Sequence, residues 1–169
     1  MNGSNKLTGS GAGSSRMRRL VAALAMMGAL AACSTHEPIE PPRGTALEAQ
    51  AMVARAIAAY EMDGDAAFVA MTPPRQDFVD RDLYMFVVGP DNIVVAQGAD
   101  ASRVGTDVTT LVDADGFAYG QAIVDTATPE GAWLSYKRED PLTGIVEEKM
   151  SWLRLYDGYV FGCGIYAPE

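Results

Sequence analysis

The stretch GAWLSYKREDPLTGIVEEKMSWLRLYDGYVFGCGIY, residues 131–166, decides the fold. Three runs rich in aromatic and branched residues, 132–139, 145–156 and 159–166, are separated by DPLTG and by Asp157-Gly158. Asp-Gly between two such runs signals a two-residue type I′ hairpin, and DPLTG has the composition of a turn. The stretch therefore predicts three consecutive antiparallel strands. Centring the first turn on Leu142 and Thr143 sets Tyr136 opposite Lys149 and Trp133 opposite Trp152. The Asp157-Gly158 turn then sets Lys149 opposite Tyr166 and Trp152 opposite Cys163. Side chains alternate across a strand, so these pairs fall into two rows. Trp133, Trp152 and Cys163, with Met150, Phe161 and Ile165, form a bulky apolar face suited to packing against a helix. Tyr136, Lys149 and Tyr166 lie on the other face among the small residues Ala132, Ser151, Gly162 and Gly164. A hollow with apolar walls, two hydroxyls and one cation suits a small anion such as a carboxylate. A solvent-exposed face carrying a surface lysine accounts for the same pattern equally well, and a slip of one residue would exchange the two faces.

Upstream, LYMFVV (83–88) and IVVAQ (93–97) flank GPDN and predict a further hairpin. Thr45 and Glu48 make a capping box, and Ala49, Val53, Ala56, Ile57 and Tyr60 recur at helical spacing, so residues 46–61 are expected to be an amphipathic helix ended by Asp63-Gly64. A second short helix over 65–71 stops before Pro73-Pro74. Residues 98–116 read as loop with one helical turn, and 117–127 as a further helical segment. The order helix, helix, two strands, helical segment, three strands predicts an α+β domain with one five-stranded antiparallel sheet.

The N-terminus reads as an address. Arg16, Arg18 and Arg19 precede the uncharged apolar run of residues 20–30, which has the length of a signal-peptide core and falls short of the roughly 20 residues that span a bilayer. Leu30, Ala31, Ala32 and Cys33 resemble the lipobox of bacterial lipoproteins, which implies cleavage before Cys33 and lipidation of its thiol. Residues 1–32 are thus expected to be a signal peptide, with residues 1–16 upstream of an alternative start at Met17, and residues 33–45, rich in proline, a tether. Ser34 after the cysteine leans, by the same resemblance, towards outer-membrane anchoring in the bacterial envelope. With Cys33 lipidated, Cys163 has no disulfide partner, and the domain must hold itself together by its core.

The chain carries 22 acidic against 13 basic residues, a net charge of −9, which argues against nucleic acid as a partner. Leaving out residues 1–32 removes four cations and no acid, so the remainder is more acidic still. The single histidine, His36, falls in the tether with no second ligand at metal-binding spacing, so neither a metal nor any other cofactor is expected. In DADG (113–116), glycine stands at the fourth position rather than the sixth of a calcium loop, and Val124 occupies the place of its last carboxylate. No glycine-rich phosphate loop or nucleophile elbow occurs, and a Cys/His pair would need His36 together with a Cys163 that the strand pattern buries. The expectation is a protein that is not an enzyme.

DLYMFVV (82–88), VGTDV (104–108), DADG (113–116), GAWLSYK (131–137), Lys149 and GYVFGCGIY (158–166) stand in an order and at a spacing that resembles the single Cache domain, the extracellular sensor module of bacterial chemoreceptors and histidine kinases. The resemblance covers residues 46–166. It implies a PAS-like fold, with a long N-terminal helix on one face of the sheet and a metabolite pocket on the other, lined by Tyr84, Tyr136 and Lys149. Many relatives carry His-Pro where this chain has Gln97-Gly98, and an aromatic residue where it has Arg138. Gln97 can hydrogen-bond a ligand but cannot become positive. The expected ligand-binding set is therefore Tyr84, Gln97, Tyr136, Lys149 and Tyr166. The expected role is a lipid-anchored domain that captures a small anionic metabolite, a carboxylate or amino acid, and presents it to a membrane sensor or transporter. Ending at Glu169, three residues past the last strand, the chain is not expected to be a receptor by itself. The competing expectation is a structural or interaction lipoprotein whose Cache fold has lost its ligand.

Overall fold

The computed structural model describes residues 42–75 and 77–166. Cys33, His36, the expected signal peptide and most of the expected tether lie outside these residues. Helix α1 (Ala46–Asp63) opens on the expected capping box: Glu48 N–H donates to Thr45 Oγ1 at 3.3 Å, and Thr45 N–H donates to Glu48 Oε2 at 2.8 Å. Gly64, at φ +58°, ends it, two residues later than the apolar spacing suggests. A 3₁₀ turn (Gly64–Ala66) and the one-turn helix α2 (Ala67–Ala70) replace the single short helix expected at 65–71.

Six strands follow: β1 (Val79–Asp80), β2 (Leu83–Val88), β3 (Val94–Gln97), β4 (Ala132–Glu139), β5 (Val146–Tyr156) and β6 (Tyr159–Tyr166), with helix α3 (Tyr119–Thr126) before β4. Five match the expected strands closely. The sixth, β1, is a two-residue addition folded back on β2 through Arg81, whose φ is +56°. The sheet is antiparallel throughout and ordered β1-β2-β6-β5-β4, with β3 also paired to β2. The register is the expected one: Tyr136 pairs with Lys149, Trp133 with Trp152, Lys149 with Tyr166 and Trp152 with Cys163. Asp157 and Gly158 have φ of +50° and +80°, as a type I′ turn requires.

The last strand thus lies in the middle of the sheet, and both of its faces are covered. On one face, α1 buries Ala49, Val53 and Ala56 against Met85, Val87, Phe161 and Cys163. Tyr60, Phe68, Tyr159 and Phe161 cluster there, with Tyr60 and Phe68 stacked at 5.5 Å. On the other face, α3 and a 3₁₀ turn (Val108–Thr110) cover Phe86, Val88, Tyr136, Leu153 and Val160. Strand β2 is buried on both faces, which explains why it reads as an unbroken apolar run.

The end of the expected tether is not free. Arg43 forms ion pairs with Asp140 and with Glu147, the latter at 3.3 Å, and Gly44 N–H donates to the buried Asp82 Oδ1 at 2.6 Å. These contacts seat Arg43 and Gly44 on the domain, because the buried Asp82 would otherwise lack a hydrogen-bond donor and the buried Asp140, which also accepts from Leu142 N–H and Thr143 Oγ1, would lack a counter-charge.

Candidate functional site

The site forms on the α3 side of the sheet. Tyr84 and Phe86 reach it from β2, and Tyr136 and Arg138 from β4, where residues two apart share a face. Phe86, Val88, Val94, Val108, Leu111 and Ile123 wall one side of a cavity of about 40 Å³. Tyr84, Gln97, Arg103, Tyr119, Tyr136 and Arg138 complete its lining. A second cleft, of about 310 Å³, shares Tyr84, Gln97, Arg103 and Arg138 with the cavity and adds Asp100, Glu139 and Pro141. An apolar inner cavity thus adjoins a polar outer cleft, with two arginines lining both.

Of the five expected ligand-binding residues, three line this cavity: Tyr84, Gln97 and Tyr136. Lys149 and Tyr166 do not, and stand one layer behind. The hollow expected above the small residues is occupied. A Cβ on Gly164 would collide with the Lys149 side chain, and one on Gly162 with the Phe86 ring, so these glycines make room for their neighbours rather than for open space. Lys149 is fully buried, and its Nζ sits 3.6 Å from the centre of the Tyr84 ring and 5.0 Å from that of Tyr166, without a hydrogen-bond acceptor. The two rings solvate the ammonium with their π faces. Its charge reaches the cavity only through the Tyr84 ring.

The hydroxyls of the site are largely engaged with one another. Tyr166 donates to the Glu139 carbonyl at 2.7 Å, Tyr136 Oη and Ser151 Oγ are 2.9 Å apart, and Tyr84 Oη lies 3.5 Å from Tyr166 Oη. Burial raises the pKa of Tyr136 and of Tyr166 well above the usual phenol range. Burial acts the same way on Tyr84, but there the adjacent Lys149 charge prevails and the net shift is downward. Tyr119 stacks on Tyr136 with centroids 4.7 Å apart and planes 6° from parallel, and its hydroxyl accepts a 3.3 Å hydrogen bond from Arg138 Nη1.

The residues missed in the sequence reading are Arg103, Tyr119 and Arg138. Arg138 stands two residues beyond Tyr136 and hence on the same face, and its replacement of an aromatic residue is the one other sequence signal for it. Burial opposes its charge, and the oxygens of Tyr119 and Tyr84 outweigh that opposition, so its pKa is raised. Arg103 and Tyr119 come from the segment between β3 and β4, whose path no local pattern announces. On the opposite face, burial pushes the Cys163 thiol up to about 12, which makes it inert as a nucleophile near neutral pH. No group of three or more potential metal ligands occurs among the described residues.

Residues 23–168 match the family described as Single Cache domain 2. No curated protein matches the chain. Among solved structures, a methyl-accepting chemotaxis protein from Vibrio parahaemolyticus RIMD 2210633 is similar at 20% identity and a TM-score of 0.60, over 71% of this chain and 86% of that one. A periplasmic sensor domain of a chemotaxis protein is similar at 22% identity and a TM-score of 0.54, over 72% of this chain and 90% of that one. A Cache chemosensory domain described for its carboxylic acid recognition is similar at 16% identity and a TM-score of 0.56, over 72% and 92%. At these identities the likeness is one of fold.

Proposed function

This chain belongs to the single Cache domain family, a small-molecule-sensing fold, and on that footing we propose that it is a lipid-anchored, non-enzymatic binding domain of the bacterial envelope whose ligand is a small carboxylate or amino acid. The observation that carries this reading is the composition of the cavity. An apolar wall meets phenols, one amide and two arginines, with Lys149 behind them, in a chain whose net charge is −9. Such a local concentration of positive charge selects anions. In this reading Tyr84, Gln97 and Tyr136 touch the ligand, while Lys149 and Tyr166 act from behind, Lys149 by its charge and Tyr166 by holding Tyr84. The carboxylic acid recognition described for the similar chemosensory domain supports the ligand class. Export and anchoring rest on the arginine cluster, the apolar run and Cys33. Loaded with ligand, the domain would engage a membrane sensor or transporter.

Two measurements test the proposal. Titration of the purified chain with carboxylates of two to four carbons and with amino acids, followed by thermal melting, should raise the melting temperature for at least one compound. A flat response to all of them would remove the binding role. Mass spectrometry of the protein from native cells should find a lipidated Cys33 at the mature N-terminus. An unmodified Cys33 in an uncleaved chain would remove the anchor.

The size of the cavity favours a second reading. About 40 Å³ holds water-sized guests, whereas ligand pockets commonly measure hundreds of cubic ångströms. A domain that has lost its ligand, serving as a structural or interaction lipoprotein, would look the same. It predicts the flat melting response together with a partner recovered by cross-linking.

A further inference from the structure

The two ends of the sheet differ in what they expose. At one end lie the β2–β3 turn, Gly89-Pro90-Asp91-Asn92, and the β5–β6 turn, Asp157-Gly158, which meet where Gly158 approaches Pro90. Neither turn carries a large apolar side chain. At the other end is the β4–β5 turn, where residues 141–146 (PLTGIV) are all exposed, Leu142 to 44%, Ile145 to 60% and Val146 to 51%. Turn tips are ordinarily polar, and three large apolar side chains within five residues of one tip form a patch that no described part of the chain covers. Helix α1 starts at the same end, since Gly44 lies against Leu83 and Glu48 pairs with Arg81 at 2.8 Å, and its Leu47 is 77% exposed. Asp140 and Glu147, the carboxylates next to the tip in sequence, are both paired with Arg43. Glu139 and Glu148, one residue further along the strands, stay exposed.

We infer that the β4–β5 tip rests on the membrane that holds the lipid anchor, with Leu142, Ile145 and Val146 in the interfacial layer of the bilayer. The inference rests on the lipidation of Cys33 proposed above and adds where the domain touches the bilayer. Ten residues of chain lead from Cys33 to Arg43, and ten residues reach at most about 35 Å. Arg43 is fixed to the hairpin itself, through Asp140 and Glu147, so the anchor pulls on this end of the sheet. The 11 residues of β5 run about 35 Å away from it, which leaves the β2–β3 and β5–β6 turns on the far side. So short a tether holds the tip against the bilayer at an effective concentration on the order of millimolar, and three apolar side chains then sustain a contact that they would not sustain from solution. The acidic chain and the exposed Glu139 and Glu148 favour a zwitterionic surface over an anionic one. Glu139 and Pro141 also line the outer cleft, so the contact fixes the height of the mouth of the site above the membrane.

Fluorescence of the lipidated protein, purified from membranes and reconstituted in vesicles, tests the contact. A nitrobenzoxadiazole label is attached through Leu142→Cys or, at the far end, through Asp91→Cys. A lipidated Cys33 and the buried Cys163, whose thiol burial pushes up to about 12, leave the introduced thiol as the one that reacts. In vesicles of phosphatidylcholine and phosphatidylethanolamine, a nitroxide-bearing lipid should quench the label at position 142 about twofold or more and the label at position 91 hardly at all. Ile145→Asp combined with Val146→Asp should bring position 142 down to the level of position 91. If that variant fails to fold, the comparison of the two positions still decides. Raising the salt from about 0.1 M to about 1 M should leave the quenching in place, because the contact is apolar. An equimolar addition of phosphatidylglycerol should weaken it. Equal quenching at the two positions, or loss of quenching with salt, would overturn the inference and leave the anchor standing. A label at position 142 that is shielded in native membranes but not in pure lipid would assign the tip to a protein partner and likewise overturn it. An unmodified Cys33 in the mass spectrum would remove the anchor and the inference together.

Discussion

The two faces of the sheet are built from the same strands and serve opposite ends. On the α1 face, Phe161, Met85, Val87 and Cys163 are essentially inaccessible and carry no charge, and the aromatic rings of Tyr60, Phe68 and Tyr159 close over them. On the α3 face, the same strands bury a lysine without a hydrogen-bond acceptor, a serine and several phenols around an incompletely filled space. A core selected for stability alone would not retain an ammonium group there, because removing it from water costs more than ring faces return. The difference teaches that one face holds the domain together, while the other gives up stability to keep polar groups in place.

The largest effect should come from breaking the first face. Phe161→Ala should cost about 3–5 kcal/mol in chemical denaturation, as truncation of a buried aromatic does, with ligand affinity unchanged in the variant that remains folded. A loss of affinity comparable to that of pocket variants would show that the faces are not separable. Next in size, Lys149→Met should raise stability by about 1–3 kcal/mol, since methionine fills the trough over Gly164 without a buried charge, while anion binding weakens. A loss of stability would mean that the contacts with Tyr84 and Tyr166 outweigh burial.

A smaller, spectroscopic difference separates the phenols. In an ultraviolet titration, one tyrosine should ionise below the usual value, and Tyr84→Phe should remove that early step, because Tyr84 alone is shifted down by Lys149. The Lys149→Met variant should lose the same step. Smallest is the effect of pH at the capping box. Hydrogen bonds from Arg81 and from the Thr45 backbone and hydroxyl lower the Glu48 pKa from 4.5 to about 2. The native state thus binds this proton more weakly than the unfolded chain, so the contribution is fully present above about pH 4.5 and disappears as the pH falls towards 2. Glu48→Gln should flatten the acid side of the melting profile over that range, and added salt should diminish the difference because the pair is exposed.

Much of this was legible beforehand. The capping box, the length of α1, five of the strands and their register follow from signals within a few residues of each other. The assignment of Tyr136 and Lys149 to one face followed as well, once the turn centred on Leu142 and Thr143 had set the pairing. The short β1 has no sequence signature, because two residues carry no periodicity. Arg43 and Gly44 read as tether because their partners, Asp82, Asp140 and Glu147, are distant in sequence.

The site was legible only in part, and for a definite reason. Alternation states which face a side chain leaves from, and this the sequence by itself determined for Tyr136, Lys149 and Tyr166, whereas Tyr84 came only from the family resemblance. Alternation does not state where a long side chain ends. Lys149 departs towards the pocket face but lies down along the trough over Gly164 and ends beneath Tyr84, whereas Arg138 reaches the cavity mouth. That choice depends on the space left by glycines of a neighbouring strand and on Tyr119 and Arg103, delivered by a segment that packs over the sheet. Such contacts join residues distant in sequence and are settled by packing, so only the tertiary structure decided which cations face the cavity.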